Sequence, residues 1–363
     1  IGFLLIGVIM FGFTWYQSRQ YKEQMEAQAQ LDSIARVEQM AAMAMDSVKK
    51  AEGVVETTDV KVSTMPTYKD SMLTASRMGE TQYYRLANDK MEIEFTTRGA
   101  QPYSVKINDY KSYDSTDLYL IRPDMSRYDI KVYAGENINT KDFNFQVVEH
   151  SDSVIVMRLP FTGGGFIQQR YALTEGSYSL YNELSFVGMD GIIPRNVSML
   201  DIDWSVVIPR LEKGYKNEKQ YSKLDYYFTG DKKPVQMARG RDESERVDTK
   251  VKWFAFQQQF FSAIMTSAQE FASADFDVKY FAEDDPSKNL MACSAKLRSD
   301  FNPASGNVVL PYEFYFGPND FNTLKEYDLK YEKIIPLGGW LVGWISRFVI
   351  IPCFNFLGKF IAN

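Results

Sequence analysis

The stretch KMEIEFTTRG, residues 90–99, decides the fold because apolar and polar side chains alternate along it. Met91, Ile93 and Phe95 alternate with two glutamates and a threonine. A period of two places the three apolar side chains on one face of a β-strand and leaves the other face in water. The stretch therefore predicts a strand with one buried face.

Similar stretches follow along the chain, separated by Gly, Asn and Asp. They are DSVIVMRLPF (152–161), FIQQRYALTEGSYSLYNELSFVG (166–188), SMLDIDWSVVIP (198–209), FASADFDVKYF (271–281), NLMACSAKLRS (289–299) and NVVLPYEFYFG (307–317). Repeated short strands with turn residues between them favour a sheet-on-sheet protein. No repeat of 20–50 residues is present, which argues against a solenoid or propeller. We therefore predict a mainly β chain with a large antiparallel β-sandwich at residues 81–320.

The first 16 residues, IGFLLIGVIMFGFTWY, form most of a membrane-spanning segment, which needs about 20 apolar residues. Trp15 and Tyr16 close the segment, as aromatic residues do at a membrane surface, and this favours an uncleaved transmembrane anchor over a signal peptide. We expect the anchor to lack its start. Residues 17–80 are rich in Ala, Gln, Glu and Met and predict a helical or disordered tether.

The last stretch, IIPLGGWLVGWISRFVIIPCFNFLGKFIAN (334–363), is apolar but contains scattered Gly, Arg and Lys. At helical spacing its aromatic and aliphatic residues share one face, which favours an amphipathic helix lying in the membrane interface. A buried core helix is the alternative. We predict a linker helix and this interfacial helix at 321–363, with membrane contacts from Trp340, Leu341, Trp344, Ile345, Arg347 and Phe348.

Composition excludes several function classes. The formal net charge is -6 and the sequence contains no basic stripe, which argues against nucleic-acid binding. The single histidine, His150, leaves no His-rich metal site and little room for a Ser/His/Asp relay, and we expect it to be exposed at a strand end. We expect Cys293 and Cys353 to be free. FTGGGF (161–166) lacks the Lys and Ser/Thr of a phosphate loop and predicts a β turn. We predict no catalytic residue, cofactor or metal.

One long segment, residues 211–250, is charged and aromatic and interrupts the strand pattern. Few of its residues look suited to burial. Loops of this length are either functional or disordered. The sequence predicts a solvated hairpin or, as the alternative, a contact surface.

Three stretches of the chain, VKWFAFQQQFFSAIM (251–265), YFGPNDFNTLKEYD (315–328) and EFTTRGAQPYSVKINDY (94–110), point to one known family. They resemble, in that order, the tryptophan and glutamine signature in the periplasmic domain of the bacterial YidC membrane protein insertases, the exit from that domain, and its first strands with a Thr-Arg-Gly turn. The signature residues are Trp253, Gln257, Gln258, Phe260, Tyr315, Gly317 and Pro318. Without the resemblance, the aromatic residues around Trp253 would suit ordinary packing at a strand-to-helix junction.

The resemblance implies a galactose-mutarotase-like supersandwich held in the periplasm by an inner-membrane anchor. It implies an insertase and chaperone for inner-membrane proteins, not an enzyme, with five further spans and a polar groove after residue 363. The implied partners are the lipid bilayer, nascent membrane proteins and, through other parts, the Sec translocon and the ribosome. Two alternatives stay open: a membrane-anchored periplasmic protein that binds or modifies carbohydrate, and a structural envelope scaffold.

Overall fold

The computed structural model describes residues 68–336. The predicted anchor at 1–16, the predicted interfacial helix with Trp340, Leu341, Trp344, Ile345, Arg347 and Phe348, and Cys353 lie outside the described residues. Within the described part, the helices are all too short or too polar to cross a bilayer.

The described chain forms three antiparallel sheets and a few short helices. The four-stranded sheet has the order β1 (Tyr83–Ala87), β2 (Met91–Thr96), β3 (Gln101–Lys111) and β4 (Asp117–Ile121). The six-stranded sheet has the order β14 (Glu243–Val247), β17 (Ser273–Tyr280), β18 (Asn289–Asp300), β11 (Met199–Pro209), β5 (Ser126–Tyr133) and β6 (Asn137–Asn139).

The nine-stranded sheet has the order β13 (Val235–Met237), β12 (Lys223–Tyr227), β15 (Val251–Gln257), β16 (Phe261–Phe271), β19 (Val308–Pro318), β10 (Ser179–Val187), β9 (Phe166–Leu173), β8 (Val154–Pro160) and β7 (Gln146–His150). The helices are α1 (Ser71–Met78), α2 (Tyr215–Tyr221) and α3 (Phe321–Glu326), with 3-10 turns at Thr140–Asp142, Pro303–Ser305 and Tyr331–Ile334. The predicted mainly β, antiparallel architecture is confirmed.

The opening stretch behaves as its alternation predicts. Met91, Ile93 and Phe95 are all buried on β2. Gly99 has a φ of +78°, a backbone angle that glycine adopts without a Cβ clash, and it turns the chain into β3. The Thr-Arg-Gly turn is confirmed.

The core lies between the nine-stranded sheet on one side and the four- and six-stranded sheets on the other. Trp204 of β11 contacts four phenylalanines of the nine-stranded sheet, with ring centroids 5.0–6.4 Å apart: Phe254, Phe256, Phe314 and Phe316. Phe95 packs against Tyr171 of β9 at 4.8 Å, and the Tyr171 hydroxyl donates to the Ala100 carbonyl at 2.9 Å. These contacts close the predicted β-sandwich.

Residues 211–250 are more buried than their composition suggests. The segment contains α2, β12, β13 and β14, and every residue of β12 is buried. The expectation of few buried residues was wrong, because β12 pairs with β15 inside the nine-stranded sheet and its two charges, Lys223 and Asp225, form an ion pair. A hairpin of β12 and β13 is present, but it belongs to the nine-stranded sheet and β12 is buried, so the hairpin is not solvated as predicted.

A short helix occupies the end of the stretch predicted as tether. Asp70 caps α1 by accepting from the backbone nitrogen of Met72 at 2.8 Å, and Leu73 is buried in the core. Asp70 also accepts from the backbone nitrogen of Thr162 at 2.8 Å, in the FTGGGF turn between β8 and β9. His150 is exposed at the end of β7, and Cys293 is free and buried on β18, as predicted.

Candidate functional site at the exit of the domain

Two of the signature residues, Trp253 and Tyr315, meet on the outer face of the nine-stranded sheet, where the chain leaves the domain. Side chains on β15 alternate, so that Phe254 and Phe256 join the main core while Trp253 and Ala255 form a second cluster with the exit segment. We call this second cluster the exit junction. Its buried members are Tyr227, Trp253, Ala255, Ile264, Tyr315, Leu324, Tyr331 and Ile334. The alternative interpretation of these aromatic residues, packing at a strand-to-helix junction, does not apply, because β15 turns into another strand, β16.

Trp253 is the centre of the exit junction. Its ring is fully buried, stacks on Tyr227 at 5.4 Å and meets the edge of Tyr331 at 5.3 Å. Its indole Nε1 donates to the carbonyl of Leu329 at 2.8 Å. A buried indole N–H needs such an acceptor, so Trp253 both packs against the exit segment and fixes the position of its backbone.

The backbone that Trp253 holds is strained. Asp328 and Lys330, on either side of Leu329, have φ values of +53° and +64°. Residues other than glycine rarely adopt this left-handed conformation and need surrounding contacts to keep it. The hydrogen bond from Trp253 lies between the two strained residues and supplies such a contact.

A tight turn at the end of β19 starts the exit segment. The Tyr315 hydroxyl donates to the Pro318 carbonyl at 2.6 Å. A Cβ on Gly317 would lie 2.7 Å from that hydroxyl and 2.8 Å from the ring of Tyr178, so only glycine fits. Asp320 then caps α3 by accepting from the backbone nitrogen of Thr323 at 2.9 Å.

Asn319 joins the glutamine stretch to this turn, and sequence reasoning did not single it out. Its side-chain amide donates to the carbonyls of Gln258 and Phe261 at 2.9 and 3.3 Å. Its side-chain oxygen accepts from the Ser262 hydroxyl at 2.6 Å. The position of Asn319 directly after Gly317 and Pro318, in a turn, was the available signal.

The glutamines themselves are buried and serve the fold. Gln258 donates to the carbonyl of Pro209 at 2.7 Å, which ties the β15–β16 turn to the end of β11. Gln257 is 3% exposed and its Oε1 has no hydrogen-bond partner among the described residues. Phe260, by contrast, is 51% exposed at the tip of the turn.

A buried ion pair also belongs to this region. Lys223 Nζ donates to Asp225 Oδ1 at 2.9 Å and to the carbonyl of Ile334 at 3.2 Å. Burial raises the pKa of Asp225 to about 6 and lowers the pKa of Lys223. The pair gives the exit segment a second polar attachment, next to the last described residues.

A separate cleft of about 700 Å³ opens beside β11 and β18. The rings of Tyr83 and Tyr103 lie 4.8 Å apart on its wall, and the Tyr103 hydroxyl donates to Asp124 at 3.1 Å. Burial and this carboxylate raise the pKa of Tyr103 to about 12. The carbohydrate alternative predicts a cleft with stacked aromatic rings and two facing carboxylates. This cleft contains the tyrosine pair and is lined by Asp124, Asp142 and Asp277, of which Asp124 accepts the hydrogen bond from Tyr103. Among residues 68–336, no three acidic, histidine or cysteine side chains converge as metal ligands.

Comparison with known proteins identifies related chains. A family model described as the YidC periplasmic domain matches residues 84–351, well over half of the chain. A relative from Parabacteroides distasonis is 29% identical, and the match covers 100% of this chain and 59% of that protein. A relative from Porphyromonas gingivalis is 27% identical over the same shares. Both relatives are named membrane protein insertase YidC. The chain spans a little over half of their length.

Solved structures with a similar course of the chain include a galactose mutarotase-like protein from Lactobacillus casei. Its identity is 9% and its TM-score 0.42, and the match covers 65% of this chain and 100% of that chain. A galactose mutarotase related enzyme from Lactobacillus acidophilus is 10% identical with a TM-score of 0.42.

Proposed function

We propose that this chain, which belongs to the YidC family of membrane protein insertases, supplies the periplasmic body of an insertase in the bacterial inner membrane. In this proposal the exit junction fixes the direction in which the chain leaves the sandwich for the bilayer. The observation that carries it is that Trp253 on β15 and Tyr315 on β19 both donate hydrogen bonds to backbone carbonyls of the exit segment.

The junction suits a mechanical role because its contacts are directional. Hydrogen bonds from Trp253, Tyr315 and Lys223 hold three separate backbone carbonyls of residues 318–334. Apolar packing alone would allow the segment to shift by a turn, whereas a hydrogen bond fails within a few tenths of an ångström. The segment therefore leaves the domain from a fixed position and in a fixed direction.

The physical task of the proposed insertase is to lower the cost of moving polar groups through hydrocarbon, where an unsatisfied backbone group costs several kcal/mol. The helix predicted after Pro336 would lie in the interface and disturb lipid packing there. Trp340, Leu341, Trp344, Ile345 and Phe348 are the proposed apolar contacts of that helix, and Arg347 is the proposed contact with phosphate or water.

The finer features of the fold and the partners belong to the same proposal. The sandwich is a mutarotase-like supersandwich that follows a transmembrane anchor at residues 1–16 and a tether. Its partners are the bilayer, nascent membrane proteins and the Sec translocon, and the ribosome acts through parts beyond this chain. The domain catalyses no covalent step. Titration of the chain with simple sugars tests the carbohydrate alternative, since saturable binding in the Tyr83–Tyr103 cleft would favour it.

The insertase proposal can be tested in cells depleted of their own insertase. The full-length gene is supplied with Asn319→Ala, which removes the side-chain hydrogen bonds of Asn319 at the exit, or with Asn137→Ala, at an exposed residue of β6, as the control. We expect insertion of a small membrane protein to fall with the first variant and to stay normal with the second. Normal insertion without any copy of the gene would contradict the insertase role and support a structural scaffold.

A further inference from the structure

A small cavity of about 250 Å³ lies beside the exit junction. It is lined by Lys223, Gln236, Arg239, Gln257 and Gln259, together with Tyr221, Phe260 and Pro336. The lining therefore contains two cations, three amides and a phenol, and no carboxylate. Such a set offers mainly hydrogen-bond donors and positive charge to a ligand.

The two cations have donors to spare. Lys223 uses two of its three ammonium hydrogens, on Asp225 Oδ1 and on the Ile334 carbonyl, which leaves one. Arg239 donates from Nε to the Gln220 carbonyl at 3.2 Å, and its two terminal nitrogens carry four further hydrogens. Because Asp225 neutralises Lys223, the side chain of Arg239 gives the cavity its net positive charge.

The cavity lies where the chain leaves the described domain, and this position indicates which kind of anion the cavity meets. Pro336 is the last described residue, and the chain continues from it into the predicted interfacial helix. Phe260 and Tyr221, 51% and 40% exposed, place two aromatic rings on the rim of the cavity. An aromatic side chain next to a membrane-bound segment suits the headgroup zone of a bilayer.

We propose that this cavity binds the phosphate of a phospholipid headgroup, with Arg239 and Lys223 as donors and Phe260 against the acyl chains. The inference rests on the proposed function, because it requires this face to meet the inner membrane. Guanidinium groups bind phosphate through short, charge-assisted hydrogen bonds, and the adjacent glutamine amides supply neutral donors. A bound headgroup would hold the exit of the domain at the level of the lipid phosphates.

The test uses the full 363-residue chain in nanodiscs of phosphatidylethanolamine and phosphatidylglycerol, released into native mass spectrometry to count retained phospholipids. Arg239→Gln removes the charge of the cavity. Arg241→Gln is the matched control, because Arg241 lies two residues away, is exposed, pairs with Glu243 and does not line the cavity. We expect retention of one phospholipid to fall about tenfold in Arg239→Gln and to stay unchanged in Arg241→Gln.

A second arm separates the lipid from a free anion. The chain in lipid-free detergent is titrated with inorganic phosphate and with a short-chain phosphatidylglycerol. We expect the lipid to bind at least about tenfold more tightly, because Phe260 adds apolar contact. Equal binding of both would show an anion site and overturn the lipid assignment. Equal lipid retention by Arg239→Gln and Arg241→Gln would overturn the site itself.

The insertion assay on the same two variants keeps the two proposals apart. If Arg239→Gln retains as much lipid as Arg241→Gln, and the unaltered gene supports normal insertion, the headgroup proposal is wrong and the insertase role stands. Loss of retention in Arg239→Gln, from a gene that does not support insertion, would leave a lipid-binding domain without the proposed function.

Discussion

The two faces of β15 are both aromatic and buried, but different forces hold them. On the inner face, Phe254 and Phe256 contact Trp204 through ring packing. On the outer face, Trp253 and Tyr331 add hydrogen bonds to their ring contact, one to Leu329 and one with Thr266. Apolar packing has no direction and stabilises the fold, whereas hydrogen bonds fix the path of a single segment. The inner face stabilises the sandwich and the outer face orients its exit.

The largest effect should come from the inner face. Trp204→Ala leaves a cavity among four phenylalanine rings, and we expect it to lower the free energy of unfolding by about 3–5 kcal/mol. Met199→Ala, at a half-exposed site on the same strand, is the control and should stay within about 0.5 kcal/mol. Urea denaturation measures both. Similar losses from the two variants would contradict the assignment of the inner face as the main core.

A second prediction concerns Glu218, a buried residue of α2, the helix that precedes β12. Its carboxyl is fully buried and accepts from the Leu211 nitrogen at 2.8 Å, while its second oxygen has no hydrogen-bond partner among the described residues. Burial raises its pKa from 4.5 to about 7. As the pH rises, the Glu218 carboxyl therefore loses its proton in the unfolded chain before it does so in the folded chain. The contribution of Glu218 to the free energy of unfolding falls between about pH 4.5 and 7 and is constant above pH 7.

The expected size of this fall is up to about 3 kcal/mol, from the usual energy of one pKa unit. Asp225, whose pKa is also raised, contributes a fall of the same sign below about pH 6. Denaturation curves of the wild type and Glu218→Gln between pH 5 and 8 separate the two. The variant should lose the fall between pH 6 and 7 and keep, below pH 6, only the smaller fall that Asp225 contributes. An identical pH profile would show that the Glu218 carboxyl titrates normally.

The outer face should give a smaller and more local effect. Trp253→Phe keeps a ring in the cluster but removes the donor to the Leu329 carbonyl, which we expect to cost about 1–2 kcal/mol. Hydrogen exchange should rise in residues 321–334 before it rises in β16 or β19. Phe254→Leu, on the opposite face, is the matched control and should lower protection throughout the sheet. Equal rises everywhere in both variants would show that the two faces form one cooperative unit.

The smallest effect on stability is expected at Phe260, the exposed tip of the β15–β16 turn. Phe260→Cys should change the free energy of unfolding by less than about 0.5 kcal/mol. A polarity-sensitive fluorophore on this cysteine should shift to the blue in vesicles, and one at the exposed control site, Tyr133→Cys, should not. Both variants carry Cys353→Ser; burial raises the pKa of the Cys293 thiol and keeps it unreactive. Equal emission from the fluorophores at the two sites would contradict a contact between Phe260 and the membrane.

Sequence patterns predicted those parts of the fold that depend on neighbours in the chain. The alternation of apolar and polar residues predicted that Met91 and Ile93 lie in the core, and the three consecutive glycines predicted the turn at 161–166. Burial of β12 was missed because its sequence, KLDYY, carries two charges. Pairing with β15 inside the nine-stranded sheet buries the strand, and the two charges, two residues apart on one face, pair with each other. Pairing of β10 with β19 joins residues more than a hundred positions apart, which no local pattern encodes.

The candidate site divides in the same way. Trp253, Tyr315 and Gly317 were recognisable from their motifs, but the motifs did not say that these residues share one face. Asn319 and the Lys223 contact with Ile334 depend on distances between strands and were not predicted.

By itself the sequence determined that the chain would alternate buried and exposed residues in many antiparallel strands, because a period of two is a property of each strand alone. It also contained the motif at residues 315–328 from which the exit of the chain from the domain was recognised. Only the tertiary structure decided that β15 would have a core face and an exit face, and that an ion pair and an indole would hold the departing backbone. The reason is physical: burial along a strand follows from local geometry, whereas a hydrogen bond between distant segments exists only once the sheets have packed.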